Sequence, residues 1–577
     1  MLKCLLMNLI VNWALLFASL AFADEFSHRY EVNEAVTVWF GKVVSWRNPE
    51  ITHSFTWLPL CSGQSSSPEP AHSLSLVETI EGLTIQDSRI EALFLQESNQ
   101  RPLCSVQLTA EDLSLLREAV RKQFWLQMFV DDLPVWGPLG KIGSAKESES
   151  VFVYTHFNLQ VSHNANQIIQ VLYHTENPVK LGSEGQSLDF SYSITWRWTS
   201  TPFEDRLGLY TDPGFFLSSK HVGMLVSFVL LAIAFALVVR LILGKLIIYQ
   251  ELVECAPPVI NTSGTTDTDL AAFKQMAGEV FRVPSCLLLF TVCVSAGTQL
   301  LAVALSMLLL FLVYPVYIER THVTSILAVL YSLFSLLGGF RSGSFYIQQS
   351  GRYWITALVV SALGVPLLVV LNLQEFSPVW LSTVEGRFLL FVGAPLHVVG
   401  TFLGRKYLAN PQYPCKISTA QPPTRYQKCW YQQPFALILI AGILPYVATR
   451  LLVYTLSSNL WEVKLYCIYG FGLAAFLLLL ISTAGTAVAV TYKLVTLEDY
   501  RWPWVSFLSA GSTAGYLFLA ALYFYWKNFP TREGMRWDFY FGCMGIGCFG
   551  LFLIFGAVGH FAASLFLRYV YTYLKRL

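Results

Sequence analysis

Charge is what this chain has least of. Lys, Arg, Asp and Glu make up 13% of its 577 residues, where a soluble domain carries about 25%. A soluble protein of this length would lack the polar groups to cover itself in water. The net charge is only +1 and no basic block with interleaved aromatics occurs, which argues against nucleic acid as a partner. Catalytic constellations are missing too. There is no HExxH, no GxSxG, no P-loop and no metal-spaced Cys/His cluster, so neither an enzyme nor a metal or other cofactor is expected. The run Gly511-Ser512-Thr513-Ala514-Gly515 misses the nucleophile elbow by its spacing. Asp131-Asp132 is followed by Leu133-Pro134, which suits a turn better than acid–base chemistry. What the chain does have is apolar surface: 54% hydrophobic residues, 15% aromatics and a mean hydropathy of +0.50. These values place it among multi-pass membrane proteins.

Residues 1–23 read as a signal peptide. Lys3 is the positive end, 5–22 is largely apolar, and Ala21-Phe22-Ala23 fits the small-x-small cleavage rule. An uncleaved anchor helix is the alternative. Either way, the following segment begins in an oxidising lumen. Residues 24–216 contain no spanning stretch and are expected to form one lumenal domain. In it Phe190, Tyr192, Ile194, Trp196 and Trp198 alternate with polar residues, as Phe157, Leu159 and Val161 also alternate. Period two marks strands with one buried face, and 36–46 and 168–173 are further strand candidates. One amphipathic helix is expected near 110–123, where Leu113, Leu116 and Val120 share a face. The domain is therefore predicted to be mainly β and sandwich-like. Its two cysteines, Cys61 and Cys104, are expected to pair, since they lack the C-x-x-C spacing of a redox-active couple.

Residues 217–577 are predicted to form an all-α bundle of nine membrane spans. Their cores lie near 222–243, 286–313, 323–345, 353–373, 388–404, 435–456, 465–490, 503–525 and 539–568. With the N-terminus lumenal, the C-terminus is then cytosolic. From Arg240 onward the proposed cytosolic segments hold sixteen Lys and Arg, against six in the proposed lumenal loops. The loop 405–428 alone carries five and no acid, as the positive-inside rule requires of a cytosolic loop. The sequon at Asn261 falls in a cytosolic loop and is expected to stay unmodified.

Small residues mark places where helices can approach closely. Gly400 and Gly404 form one GxxxG pair and Gly511 and Gly515 another, while Gly542, Gly545, Gly547 and Gly550 crowd the start of the last span. Packing within the bundle is the plainer reading, and a docking face for another protein's helix is the sharper one. Gln299, His397 and Arg450 are candidates for an intramembrane polar site, because polar and ionisable groups at depth need a partner or a cavity. No chain of intramembrane carboxylates accompanies them.

The order of motifs resembles the nonaspanin family, the transmembrane 9 superfamily. Leu58-Pro59-Leu60-Cys61 resembles its LPFC element, and Asp131 to Gly137 its D-x-LPVWG element. Tyr154-Thr155-His156 and Tyr192 to Trp196 are similar to two later strands of the family. Gly278 to Pro284 resembles its G-D-V-F-R-x-P segment, Gly297-Thr298-Gln299 its G-x-Q, and Gly442 to Tyr446 its GILPF. Glu498 to Trp504 resembles EDYRWWW, and Gly511 to Tyr516 the block after it. The resemblance runs from about residue 30 to the end.

That resemblance implies a large lumenal β domain on nine helices. It also implies residence in Golgi and endosomal membranes, and sorting or escort of other membrane proteins, including those with Gly-rich or polar transmembrane helices. A small-solute or ion transporter and a lumenal adhesion receptor are the competing readings. The chain departs from the family pattern at several points. Acids that the family carries in its sixth and seventh spans are here Leu452 and Gly485. The cytosolic R-x-IP-x-Q-x-WY element is reduced to Arg425 and Trp430-Tyr431. The family tail, Lys-x-Asp or Lys-x-Glu, is read by a vesicle coat. Here it ends Lys575-Arg576-Leu577, which keeps the lysine, lacks the terminal acid and extends the expected range to the cell surface.

Overall fold

The computed structural model describes residues 28–45, 52–61, 86–131, 133–143, 150–182, 185–206, 276–313, 322–349, 351, 353–362, 389–408, 430, 433–459, 465–528 and 537–574. The signal peptide, the first span at 222–243, the sequon and the 575–577 tail lie outside the described residues.

Among the described residues, twelve strands and one α-helix build the N-terminal part. One five-stranded sheet runs β11 (Gln167–Lys180), β10 (Ser150–Asn164), β12 (Ser187–Trp198), β6 (Ser98–Gln107), with β9 (Gly140–Gly143) also on β10. The other runs β3 (Thr52–Ser54), β2 (Val38–Ser45), β7 (Phe124–Val130), β8 (Leu133–Pro138), with β4 (Gln86–Asp87) also on β2. A small pair, β1 (Ala35–Val36) and β5 (Ala92–Leu93), completes the set. Pairing is antiparallel except between β10 and β12. β11 folds back on one edge of β10, and β12 returns to the opposite edge. The inner faces share one core. Phe40 and Met128 from one sheet meet Phe157, Phe190 and Ile194 from the other, and the Phe40 and Phe157 rings stand 6.3 Å apart. This is the sandwich-like arrangement that the alternating residues predict, since each strand has one apolar face to hide.

The alternation fails at one point. Phe190, Tyr192 and Ile194 are buried, but Trp198 is 70% exposed. β12 outruns its β6 partner after Ile194; Trp196 still packs on the Phe94 ring at 5.1 Å, while Trp198 stands at the exposed strand end. The expected helix forms as α1 (Ala110–Arg121), with Leu113, Leu116, Ala119 and Val120 buried. Thr109 and Asp112 cap it reciprocally, each side chain bonding the other's backbone N–H, which satisfies two orphan donors of the first turn.

Cys61 and Cys104 form a disulfide with Cα atoms 5.8 Å apart, closing a separation of 43 residues. It ties the chain just after the Phe55–Trp57 turn to β6. A cross-link over such a loop stabilises by about 3–4 kcal/mol. Replacing both cysteines with Ser is therefore expected to lower the thermal midpoint of this domain by roughly 6–16 °C. Reductant should reproduce the loss in the native chain and leave the double variant unmoved.

Among the described residues, seven long helical elements follow: α2 (Leu287–Val313), α3 (His322–Gln348), α4 (Ala394–Tyr407), α5 (Pro434–Asn459), α6 (Leu465–Thr496), α7 (Trp502–Asn528) and α8 (Trp537–Leu574). Among the described residues, stretches long and apolar enough to cross a membrane lie in five helices, α2, α3, α6, α7 and α8. The marginal fifth span begins as a π-helical turn, Leu389–Gly393, and continues as α4. Of the fourth, 354–362 is helical and the rest lies outside the described residues. α8 packs on α2, α6 and α7. Small residues make this possible: a Cβ at Gly297 would meet Ala557 of α8, and one at Gly559 would meet Ala510 of α7 and Ala487 of α6.

Candidate functional site

Between helices, small and polar residues do different work. α3 carries Gly339 and Gly343, and α4 carries Gly400 and Gly404. The two pairs face each other. A Cβ at Gly400 would run into the carbonyl oxygen of Leu336, and one at Gly404 into that of Phe340. A Cβ at Gly339 would strike the carbonyl of His397, and one at Gly343 that of Thr401. The helices thus touch backbone to backbone, which only residues without side chains permit. This corrects the sharper reading of Gly400 and Gly404: their face is covered by α3 and is not offered to another protein. Gly511 is likewise spent, against the Phe552 ring of α8.

Gly515 differs. It is exposed, and no heavy atom among the described residues lies within 4 Å of where its Cβ would be. The same holds for Gly542, Gly545, Gly547 and Gly550 on the first half of α8. The predicted small-residue positions therefore separate into an inner set that builds the bundle and an outer set that leaves space. The spacing of the glycines alone cannot tell these apart.

Gln299 and His397 are not brought together. Gln299 is buried between α2 and α3, where its Nε2 donates to the Tyr331 carbonyl at 3.2 Å. Gly338 makes room for it, since a Cβ there would stand 2.6 Å from Oε1. One turn earlier, Ser295 donates to the Gly338 carbonyl at 2.7 Å. His397, on α4, shares a hydrogen bond of 2.8 Å with Ser361, which is 3.3 Å from Ser342 of α3. Both predicted polar residues thus bond one helix to another. The Arg450 side chain and the tail residues Lys575 and Arg576 lie outside the described residues.

The motif blocks far apart in sequence meet in pairs. Trp502 Nε1 donates to the Val280 carbonyl and Trp504 Nε1 to the Ser285 carbonyl, each at 2.6 Å. These bonds seat the 276–285 segment across the ends of α6, α7 and α8, where Val280 and Phe281 join Leu494, Val505 and Leu567 in one core. Gly442 of α5 lies against Ser512 and Thr513 of α7. There Ser512 and Tyr516 donate to the Ile438 and Leu439 carbonyls at 2.9 and 2.8 Å. Residues 52–534 match the family model described as Endomembrane protein 70. The chain belongs to that family. It is 29% identical to transmembrane 9 superfamily member 4 of Arabidopsis thaliana over 96% of each chain. It is 28% identical to member 2 of the same plant over 98% of each. It is 26% identical to member 1 of Bos taurus, over 95% of this chain and 94% of that one. No solved structure matches. The chain is thus a transmembrane 9 superfamily protein, a multi-pass membrane protein with a β domain before its helices.

Two arrangements in the β domain escape a reading of the sequence. His156 is buried with hydroxyls at both ring nitrogens, Ser191 at 2.8 Å and Ser193 at 3.0 Å. With hydroxyls at both nitrogens and no carboxylate, the trio orders β10 against β12 and does not form a nucleophilic triad. Asp131 sits at the β7–β8 turn as expected, with φ of 51°, yet it is buried. Its carboxylate accepts from Arg206 at 2.6 Å and from the Tyr30 hydroxyl at 2.5 Å. Nothing in the local pattern joins residues 30, 131 and 206.

Proposed function

We propose that this protein sorts or escorts other membrane proteins in Golgi and endosomal membranes, with access to the cell surface. The observation that carries the reading is the outer glycine set, Gly515 on α7 and Gly542 to Gly550 on α8, which leaves room for a helix from elsewhere. A client helix with small or polar residues is poorly satisfied in lipid and gains close contact on such a surface. In this reading the β domain reads the client's ectodomain, and Lys575 and Arg576 of the tail engage a vesicle coat. Gln299 and His397, which motivated a transporter, are occupied in holding helices together.

The test is the surface membrane proteome of cells with and without the protein. Selective loss of a few polytopic proteins is expected, restored by the native chain. The combined Gly515→Leu and Gly547→Leu chain should be made normally but recover those clients several-fold less well on co-purification. An unchanged surface proteome would overturn the reading.

A further inference from the structure

At one end of the β sandwich three apolar side chains stand in the open. Val32 is 68% exposed, Leu95 38% and Trp198 70%. The backbone gathers them on one rim. The segments carrying Val32 and Leu95 are tied together, since the Asn33 N–H donates to the Phe94 carbonyl at 3.0 Å and the Phe94 N–H to the Glu34 carbonyl at 2.8 Å. Trp196 Nε1 donates at 3.0 Å to the carbonyl of Gln96, the residue after Leu95. Trp198 lies two places further along β12, on the same face of the strand as Trp196. Beneath the rim, Phe94 is buried and packs on the rings of Tyr30, Trp196 and His163 at 5.4, 5.1 and 5.8 Å. Leu95 holds a φ of 64°, a turn position where Gly or Asn is the ordinary choice. Neither the turn nor the core beneath it calls for an apolar side chain there.

The chain leaves the β domain from this same end. β10 and β12 both finish here, joined by the Thr199 N–H on the His163 carbonyl at 2.9 Å. Arg206, the last described residue before 276, is held by Asp131 at the β7–β8 turn. Asp131 also accepts from Tyr30, whose N–H donates to the Asn166 carbonyl in the β10–β11 turn. The first span is expected from 222, so fifteen residues, 207–221, connect the two. Drawn out straight they reach at most about 50 Å. β10, with fifteen residues, is itself about 50 Å long. The far end of the sandwich would therefore face the bilayer only with the connection fully extended along the whole domain, whereas the exit end faces it with slack to spare. Tryptophan is also the side chain of membrane–water interfaces, apolar in its body and polar at its N–H. Exposed charges of both signs stand on the same segments, Arg29 and Arg197 with Glu31 and Glu97, so attraction to lipid must come from the apolar tips and not from a net charge.

We propose that Val32, Leu95 and Trp198 rest in the headgroup region of the adjoining leaflet and seat the β domain on the membrane. This contact is independent of the sorting function and stands or falls separately.

The experiment uses the full chain in phosphatidylcholine nanodiscs, with the photo-crosslinker p-benzoylphenylalanine replacing Trp198, Leu95 or Ile142 one at a time. Ile142 is the reference: it is 40% exposed and pairs with Val151 at the opposite end of β10. Mass spectrometry after illumination reads the adducts. Positions 198 and 95 are expected to capture lipid several-fold more than position 142, and to do so equally well when part of the phosphatidylcholine is replaced by phosphatidylserine. Equal capture at all three positions would overturn the proposal. So would adducts of 198 and 95 to another part of the chain or to a second copy in place of lipid, since protein would then cover the rim. If the Leu95 variant is not monodisperse, positions 198 and 32 decide, both being well exposed.

Discussion

Asp131→Ala is expected to cost the β domain roughly 3–5 kcal/mol, enough to leave much of it unfolded at growth temperature. The Arg206 and Asp131 side chains are 1% and 3% exposed and 2.6 Å apart. Arg206 also donates to the Asp131 backbone carbonyl at 2.7 Å, and Tyr30 closes the other carboxylate oxygen. Removing the carboxylate takes the ion pair from a guanidinium in a place water does not reach, and that desolvation is the larger part of the loss. Arg206→Met should be costly for the mirror reason. The double replacement, Asp131→Leu with Arg206→Met, should recover much of the loss because no charge is left behind. Tyr30→Phe, which removes one bond to a charged group, should cost about 1.5–3 kcal/mol. Thermal unfolding and protease resistance of the purified full chain would measure all four. A midpoint for Asp131→Ala within error of the native chain would show that the pair contributes nothing, and single losses that simply add would show that the two groups act apart.

Gly400→Leu is the second large effect and falls in the membrane half. Inserting bulk into a close-packed contact costs typically 1–3 kcal/mol when side chains can shift. Here the obstacle is the Leu336 carbonyl and the Phe340 backbone nitrogen, which cannot rotate away, so the cost should exceed that range. α4 would have to lift from α3, breaking the link from His397 through Ser361 to Ser342. The expected result is loss of the monodisperse peak in fluorescence-detected size exclusion, with Gly339→Leu behaving alike from the other side. Gly547→Leu, with open space at its Cβ, should elute as the native chain does. Equal behaviour of Gly400→Leu and Gly547→Leu would refute the division into inner and outer glycines.

The same contrast explains how far local pattern reaches in this molecule. Strands β10 and β12 and helix α1 follow from residues a few places apart, because period two and the 3.6-residue turn are properties of the local backbone. The Cys61–Cys104 pairing follows from there being two thiols in an oxidising segment. Gly339 and Gly343 belong to a small-residue run, Gly338-Gly339-Phe340-Arg341-Ser342-Gly343, that does not by itself name its partner. Their role becomes visible only against Gly400 and Gly404, nearly sixty residues on. Arg341 reads in the sequence simply as a cytosolic charge, since its seat over the Phe561 ring depends on what α8 places beside it.

Composition and periodicity alone determine that this chain lives in a membrane and that a β domain precedes its helices, and its ordered motifs carry the resemblance to the transmembrane 9 superfamily. These are sums over many residues or contiguous motifs, so no single contact decides them. Which glycines face inward and which polar groups are answered were decided by the packing. Each depends on which backbone atoms come to stand opposite a residue, and α3 meets α4 and α8 across long stretches of sequence. Burial makes those encounters matter, because in lipid or a dry core an unanswered polar group has no water to turn to.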